Sequence, residues 1–198
     1  MTTVFAGFAL GFAVAAGFGP ISVLALTSGL RFGFPPAFGV GLGAALVDGL
    51  YALLAALGLA ALVPGDELQL VGGLVLLALA ERMIRARGGE GLALETFRRG
   101  LGTSFAATLA NPLTIVSWAA AFTAVVPDLD ISQTQIVTVL PLGVFCGTLT
   151  YFTLLAFGAT IFGRRLGPRA LRTASVIAGV LIGAFGLVFV VRGAAAIF

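Results

Sequence analysis

The sequence predicts an all-α membrane protein in which six transmembrane helices form two inverted three-helix repeats. Three observations lead to this fold class: an apolar composition, six apolar segments and a weak internal repeat. Of the 198 residues, 60% are hydrophobic and only 10% are charged. Soluble domains carry about 25% charged residues. We therefore expect the whole chain to form one polytopic domain in a lipid bilayer.

Six transmembrane segments are predicted along the chain. They span residues 3–30, 37–63, 68–84, 103–126, 134–162 and 173–191, and a helix crosses the hydrocarbon core in about 20 residues. The first segment contains Gly17-Phe18-Gly19-Pro20, and the fourth contains Asn111-Pro112. Proline removes a backbone donor and interrupts a helix. Helices 1 and 4 are therefore predicted to be broken at these two points.

An internal repeat relates the second and fifth segments at an offset of 100 residues. Six of the seventeen positions from 42 to 58 then coincide, namely Leu42/Leu142, Gly43/Gly143, Tyr51/Tyr151, Leu54/Leu154, Ala56/Ala156 and Gly58/Gly158. The other segments correspond at offsets of 92 and 107, through Pro20/Pro112, Gly72/Gly179 and Arg85/Arg192. Because each half has three helices, the second copy must be inverted. We predict repeat one at about 1–85, a cytoplasmic loop at about 86–100 and repeat two at about 101–198.

The distribution of arginines predicts the orientation of these segments in the membrane. The first, third and fifth connections hold ten of the eleven basic residues, all arginines: Arg31, Arg82, Arg85, Arg87, Arg98, Arg99, Arg164, Arg165, Arg169 and Arg172. The opposite side holds Arg192 with four acids, Asp66, Glu67, Asp128 and Asp130. Cytoplasmic loops carry the excess of positive charge in membrane proteins. Both termini are therefore expected on the non-cytoplasmic side.

Asp48 is an acid at the centre of the second apolar segment. A carboxylate at bilayer depth costs several kcal/mol, so it needs a partner or a function. At helical spacing it shares a face with small residues, Gly41, Ala44, Ala45, Ala52 and Ala55, whereas Val40, Val47, Leu50, Leu54 and Leu57 take the opposite face and are expected to face lipid. Asp48 is thus predicted to point into the bundle. It could bind a substrate ammonium, carry a coupling proton, or be a structural carboxylate.

The two predicted helix breaks are candidates for binding a carboxylate. Gly17, Gly19 and Pro20 would leave free N–H groups at the start of a half-helix, and Asn111-Pro112 would do so in the second half. The other candidates are the repeat counterpart of Asp48 and the two tyrosines that follow, which could line a pocket or only pack: Thr148, Tyr51 and Tyr151. Trp118, the one tryptophan, is interpreted as a packing residue. The prolines could also merely kink their helices.

Several classes of function lack the residues that they require. The chain has no histidine and one cysteine, so neither a His-ligated metal site nor a cofactor is predicted. The arginines form no stripe with exposed aromatics, which argues against nucleic-acid binding, and no phosphate-binding lysine motif indicates an ATP-driven pump. Two alternatives to amino-acid transport stay open: a metal-cation exporter, and a scaffold in which no water-accessible cavity separates Asp48, Asn111 and the prolines. An intramembrane enzyme or redox carrier lacks a suitable set of residues.

Several motifs together resemble the lysine exporter (LysE/RhtB-type) family of bacterial amino-acid exporters. They are Gly17-Phe18-Gly19-Pro20 with Ser28-Gly29-Leu30-Arg31, Gly39-x-Gly41-x-Gly43-x4-Asp48-x2-Tyr51, and Arg99-Gly100 leading to Ala110-Asn111-Pro112. The resemblance implies an inner-membrane secondary transporter that exports an amino acid or related small metabolite, coupled to an ion such as the proton, as a homodimer. Many members place a lysine directly after the Asn-Pro pair, where this chain has Leu113. The resemblance therefore does not single out lysine as the substrate.

Overall fold

Seven helices account for most of the chain in a computed structural model that describes residues 2–17, 19–58, 65–85, 96–111, 114, 117–118, 120–122, 126 and 132–197. The helices are α1 (Thr2–Ala16), α2 (Pro20–Phe32), α3 (Phe34–Ala56), α4 (Gly65–Arg85), α5 (Phe97–Leu109), α6 (Gln133–Gly163) and α7 (Pro168–Ile197). Within these residues there is no β-strand. The all-helical class predicted from the sequence is therefore confirmed.

Three of the described helices, α3, α6 and α7, are each long and apolar enough to cross a membrane. A fourth candidate span is formed by α1 and α2 together, which meet at an angle of 79°. These spans make the chain a multi-pass membrane protein. The predicted arrangement of six spans in two inverted repeats goes beyond this finding.

Proline and glycine set the boundaries of α2. The helix begins at Pro20, whose missing N–H costs nothing in the first turn. It ends at Phe32, and its C-cap residue, Gly33, has φ +85° and ψ −167°, a conformation open essentially to glycine alone. The next residue already belongs to α3, so α2 and α3 are joined by a single glycine.

Two segments begin earlier than the apolar pattern predicts. The helix α5 begins at Phe97, six residues before the predicted start of the fourth segment, after Thr96, whose hydroxyl accepts a hydrogen bond from the backbone N–H of Arg99. Residues 86–95 of the predicted cytoplasmic loop lie outside the described part of the chain. The last helix begins at Pro168, five residues before the predicted start. Polar helical turns that contain arginines give no hydropathy signal, so the sequence pattern missed both.

Glycines allow the helices to pack with their backbones in close contact. Gly43 of α3 lies against α5, where an added Cβ would come within 2.8 Å of the backbone nitrogen of Phe105. Gly147 of α6 lies against α1, where an added Cβ would overlap the carbonyl oxygen of Phe8. Small residues at helix contacts are typical of membrane bundles, because dispersion forces depend on close approach. The helices of the pairs α3–α5 and α1–α6 therefore pack with a short distance between their backbones.

The helix α3 is buried more completely than its sequence pattern predicts. Asp48 faces the interior as expected, with 5% of its surface exposed. The prediction that Val40 and Val47 face lipid is wrong, because both side chains are fully buried. Contacts with α2, α5 and α6 cover most of α3 and leave only a narrow exposed strip. Leu46 and Leu50 lie in that strip, at 42% and 39% exposure.

The remaining contacts join α2 and α4 to the last helix. Along their lengths α4 and α7 pack against each other, and Gly73 of α4 lies against the backbone of α7. At the end of α2, Arg31 donates from Nη1 to the Ser175 hydroxyl of α7 over 3.0 Å. The helix α2 also contacts α6 and α3, the helix that carries Asp48.

Candidate functional site

A cavity of about 270 Å³ lies where α1 ends and α2 begins. Its walls come from α1, α2, α3, α5, α6, α7 and the segment after α5. The lining residues are Val14, Ala15, Gly17, Gly19, Pro20, Ile21, Ser22, Ala44, Asp48, Thr108, Asn111, Thr114, Ser117, Phe152 and Phe185. Apolar side chains and a small set of polar groups thus surround one space, which is the usual composition of a small-molecule site.

Asp48 is the one charged residue among the described residues that line this cavity. Its carboxylate receives two hydrogen bonds from other parts of the chain. The indole Nε1–H of Trp118 donates to Oδ1 over 3.1 Å, and the Thr148 hydroxyl lies 3.0 Å from Oδ2. Both partners are fully buried. Hydrogen bonds to a buried charge offset part of its desolvation, so the two donors hold Asp48 at the cavity in a fixed orientation.

The start of α2 presents backbone N–H groups at the same cavity. The N-cap residue, Gly19, has no side chain and makes no side-chain capping bond, and Pro20 has no N–H to be capped. The N–H groups of Ile21 and Ser22 are therefore the first donors without an acceptor inside the helix. Gly19 through Ser22 all line the cavity. With the positive end of the helix dipole, these groups form a surface suited to a carboxylate.

The Thr108 hydroxyl is a polar group with no hydrogen-bond partner within the described part of the chain. Thr108 lines the cavity near the end of α5 and is 97% buried, with 3% of its surface exposed. A buried hydroxyl without a partner costs about 1–3 kcal/mol, and such groups are uncommon in folded proteins. A ligand in the cavity could supply the missing partner. Asn111, three residues further on and beyond the end of α5, is also buried against the cavity and has a partner of its own.

The structure brings most of the sequence-predicted site residues to this cavity. Five of the nine line it: Gly17, Gly19, Pro20, Asp48 and Asn111. Thr148 is not a lining residue but contacts the Asp48 carboxylate. Pro112 lies outside the described residues, so its predicted role stays a prediction. The two tyrosines do not line the cavity.

Both tyrosines take part in helix packing. Tyr51 is buried and donates from its hydroxyl to the carbonyl of Leu109, the last residue of α5. Tyr151 makes edge-to-face contacts with Phe12 of α1, at a centroid distance of 5.7 Å, and with Phe152, at 5.2 Å. Of the two roles left open for the tyrosines, the structure places them in packing around the site.

Sequence reasoning missed four polar lining residues and the role of Trp118. The lining residues are Ser22, Thr108, Thr114 and Ser117. The interpretation of Trp118 as packing alone is wrong, because its indole binds Asp48. A signal was available: Thr108, Asn111, Thr114 and Ser117 recur every three residues along an apolar segment. This spacing puts polar groups on one side of a helix, where a site is the natural reason for them.

The structure also bears on the two alternatives to amino-acid transport, the scaffold and the metal-cation exporter. The scaffold hypothesis requires that no cavity separates Asp48, Asn111 and the prolines, whereas Asp48, Asn111 and Pro20 line a common space. The metal-exporter hypothesis calls for a cluster of ligands. Within the described residues, no group of three or more His, Cys, Asp or Glu side chains could hold a metal ion.

These features define a polytopic membrane protein whose helix bundle encloses a cavity lined by apolar side chains and a few polar groups, the class to which small-molecule translocators belong. Comparison with known proteins is more specific. The family model described as "LysE type translocator" matches residues 12–193, so the chain belongs to that family of translocators. The resemblance drawn from the sequence motifs is therefore confirmed.

One curated relative extends this comparison over nearly the whole chain. The protein named "Putative amino acid efflux protein YcgF" of Bacillus subtilis (strain 168) is 26% identical over 196 residues. The match covers 93% of this chain and 93% of that protein. No solved structure matches the chain at a significant level.

Proposed function

We propose that this protein exports an amino acid, or a closely related small metabolite, from the cytoplasm as a secondary active transporter. The observation that carries the proposal is the cavity shared by the Asp48 carboxylate and the N–H groups at the start of α2, which have no acceptor within their own helix. A zwitterion carries a positive and a negative group a few bonds apart. One cavity with an acid and a helix N-terminus offers complementary partners for both.

In this proposal the substrate ammonium lies near Asp48 and its carboxylate near Ile21 and Ser22. The Thr108 hydroxyl then forms a hydrogen bond with a polar group of the substrate. The volume of about 270 Å³ suits one small metabolite. Since Asp48 is the one charged lining residue described, and Phe152 and Phe185 form part of the wall, the cavity favours a neutral side chain.

The proposed transport cycle is alternating access between two inverted repeats. Two sets of contacts support an inverted repeat: Gly43 packs on Leu101, Ser104 and Phe105 of α5, and its counterpart Gly143 packs on Val4, Gly7 and Phe8 of α1. Each residue of the first set lies 97 positions after its counterpart in the second. The α1–α2 break between Ala16 and Pro20 and the end of α5 at Leu109 support broken helices in both halves. Such breaks beside a cavity are typical of secondary transporters.

Three further parts of the proposal concern the cellular setting. The protein lies in the inner membrane with both termini on the non-cytoplasmic side, as the arginine distribution predicts. It works as a homodimer, which chemical cross-linking in native membranes would test. The coupling ion is the proton, carried by Asp48, because this acid lines the cavity and contacts groups on two other segments.

Counterflow in proteoliposomes tests the transport proposal. Vesicles preloaded with each neutral amino acid in turn should accumulate the labelled form of a true substrate, and Asp48→Asn should lower the initial rate by roughly 10- to 100-fold, the effect of losing a charged hydrogen-bonding partner. The matched control is Glu81→Gln, the same chemical change at an exposed residue that pairs with Arg85 over 3.0 Å.

Three outcomes would count against the proposal. If Asp48→Asn keeps both the wild-type rate and its pH dependence, the role given to the carboxylate is wrong. If charged amino acids are transported and neutral ones are not, the side-chain preference is wrong. If divalent cations are transported in place of amino acids, the metal-exporter alternative gains support.

A further inference from the structure

The hydroxyl of Thr148 has one hydrogen and two acceptors within reach. Its Oγ1 lies 3.0 Å from Oδ2 of Asp48 and 3.2 Å from the carbonyl oxygen of Gly11. Thr148 belongs to α6, Asp48 to α3 and Gly11 to α1. A hydroxyl donates one hydrogen bond and accepts others, so it cannot donate fully to both oxygens at once.

The protonation state of Asp48 decides which acceptor the Thr148 hydrogen serves. When the carboxylate is ionised it only accepts, so the Thr148 hydroxyl donates to Oδ2 and the Gly11 carbonyl loses this donor. When Oδ2 carries a proton, that O–H donates to Thr148 Oγ1, and the Thr148 hydrogen is free to donate to Gly11. The Trp118 indole donates to Oδ1 in both states, since Oδ1 stays an acceptor.

We propose that Thr148 is a proton-responsive link that ties α1 to α3 and α6 when Asp48 is protonated and releases α1 when Asp48 is ionised. The inference rests on the proposed function in taking the proton as the coupling ion. Gly11 lies in the last two turns of α1, and that helix ends at Ala16 beside the cavity. A change at Gly11 is thus passed to one wall of the substrate site. Thr148 acts here as a positioning residue, through Asp48 and α1.

The other charged or titratable groups of the surrounding elements do not compete for this role. Described α1 residues and the described segment around Trp118 contain none. The helix α2 has Arg31, at its far end, and α5 has Arg98 and Arg99, both exposed in its first turn. On α6 the groups are Cys146, which is exposed, and Tyr151, which packs on Phe12. On α3 itself the Tyr51 hydroxyl is bound to Leu109.

The test compares Thr148→Val, which keeps the shape and removes the hydroxyl, with Thr148→Ser, which keeps the hydroxyl. Infrared difference spectroscopy on the purified protein follows the carboxyl C=O band of protonated Asp48, assigned by its loss in Asp48→Asn. The matched control is Thr153→Val on the same helix, because Thr153 donates only to its own helix, at the Leu149 carbonyl over 2.6 Å. Thr148→Ala serves as a second hydroxyl-free variant if Thr148→Val does not fold.

The expected result is that the hydroxyl-free variants move the titration midpoint of the Asp48 band to higher pH by roughly one unit or more, since the lost bond is stronger to the ionised carboxylate. Thr148→Ser and Thr153→Val should titrate like the wild type. The proposal is overturned if the hydroxyl-free variants also titrate like the wild type, or if the wild-type band does not titrate. The measurement needs no substrate, so a failure of the transport proposal in counterflow would be seen separately.

Discussion

The indole Nε1–H of Trp118 donates to Oδ1 of Asp48 over 3.1 Å, although the two residues are 70 positions apart in the chain. The donor is fully buried and the acceptor is 95% buried. This hydrogen bond holds the Asp48 carboxylate beside the cavity. Because the indole is uncharged, it does not neutralise the charge of the carboxylate. Removal of either partner would leave a buried polar group exposed to an apolar environment.

Trp118→Phe should therefore affect both stability and transport. The phenyl ring keeps most of the packing against Phe122, whose ring centre lies 6.3 Å from that of Trp118, but lacks the N–H donor. The loss of a hydrogen bond to a charged group costs about 1.5–3 kcal/mol. Thermal unfolding in detergent should show a lower Tm, and counterflow should show a slower rate. A Tm and a rate equal to those of the wild type would contradict the assigned hydrogen bond.

Thr108→Val should separate ligand binding from stability. Replacing a buried hydroxyl that has no hydrogen-bond partner among the described residues with a methyl group is near neutral or stabilising, so the Tm without substrate should stay the same or rise. If the hydroxyl binds the substrate, the KM for counterflow should increase roughly three- to tenfold. The same substitution at Thr153 provides the control, because that hydroxyl already donates to its own helix. An unchanged KM in Thr108→Val would remove Thr108 from the binding site.

Gly147→Ala should separate α1 from α6. An added Cβ there overlaps the backbone of Phe8, which cannot move as a side chain would. Overpacking of this kind costs about 1–3 kcal/mol. The control is Gly158→Ala on the same helix, where no atom of the described residues lies within 4 Å of an added Cβ and alanine should stabilise the fold by about 0.5–1 kcal/mol through its better helix propensity. Opposite shifts in Tm are expected, and equal shifts would contradict the close helix contact.

Cysteine labelling tests the predicted orientation. In a background with Cys146→Ser, Leu166→Cys lies between α6 and α7 beside Arg164 and Arg165, and Leu57→Cys lies at the end of α3. Both positions are exposed, at 38% and 48%. A membrane-impermeant maleimide should label Leu57→Cys in intact cells and Leu166→Cys only after permeabilisation. The reverse pattern would invert the predicted topology.

The sequence alone was sufficient to predict those properties of this protein that follow from the bilayer acting as its solvent. An apolar composition with few charges determines that the chain is helical and membrane-embedded, because only helices satisfy their own backbone groups within one segment. One acid among small residues was enough to predict that Asp48 faces the interior. The family motifs predicted the translocator family, which the comparisons confirm.

Only the tertiary structure decided which side chains meet at the cavity. Thr148 was a candidate through the repeat alone, and it lies against the Asp48 carboxylate because Gly41 of α3 lets Phe152 of α6 approach closely. Trp118 gave no distinct signal, since an indole in an apolar segment has the same hydropathy whether it packs or binds. The three-residue spacing of the polar residues marks Thr108 but does not show what its hydroxyl contacts. Hydropathy depends on each residue by itself, whereas a hydrogen bond depends on two residues whose helices must first be packed together.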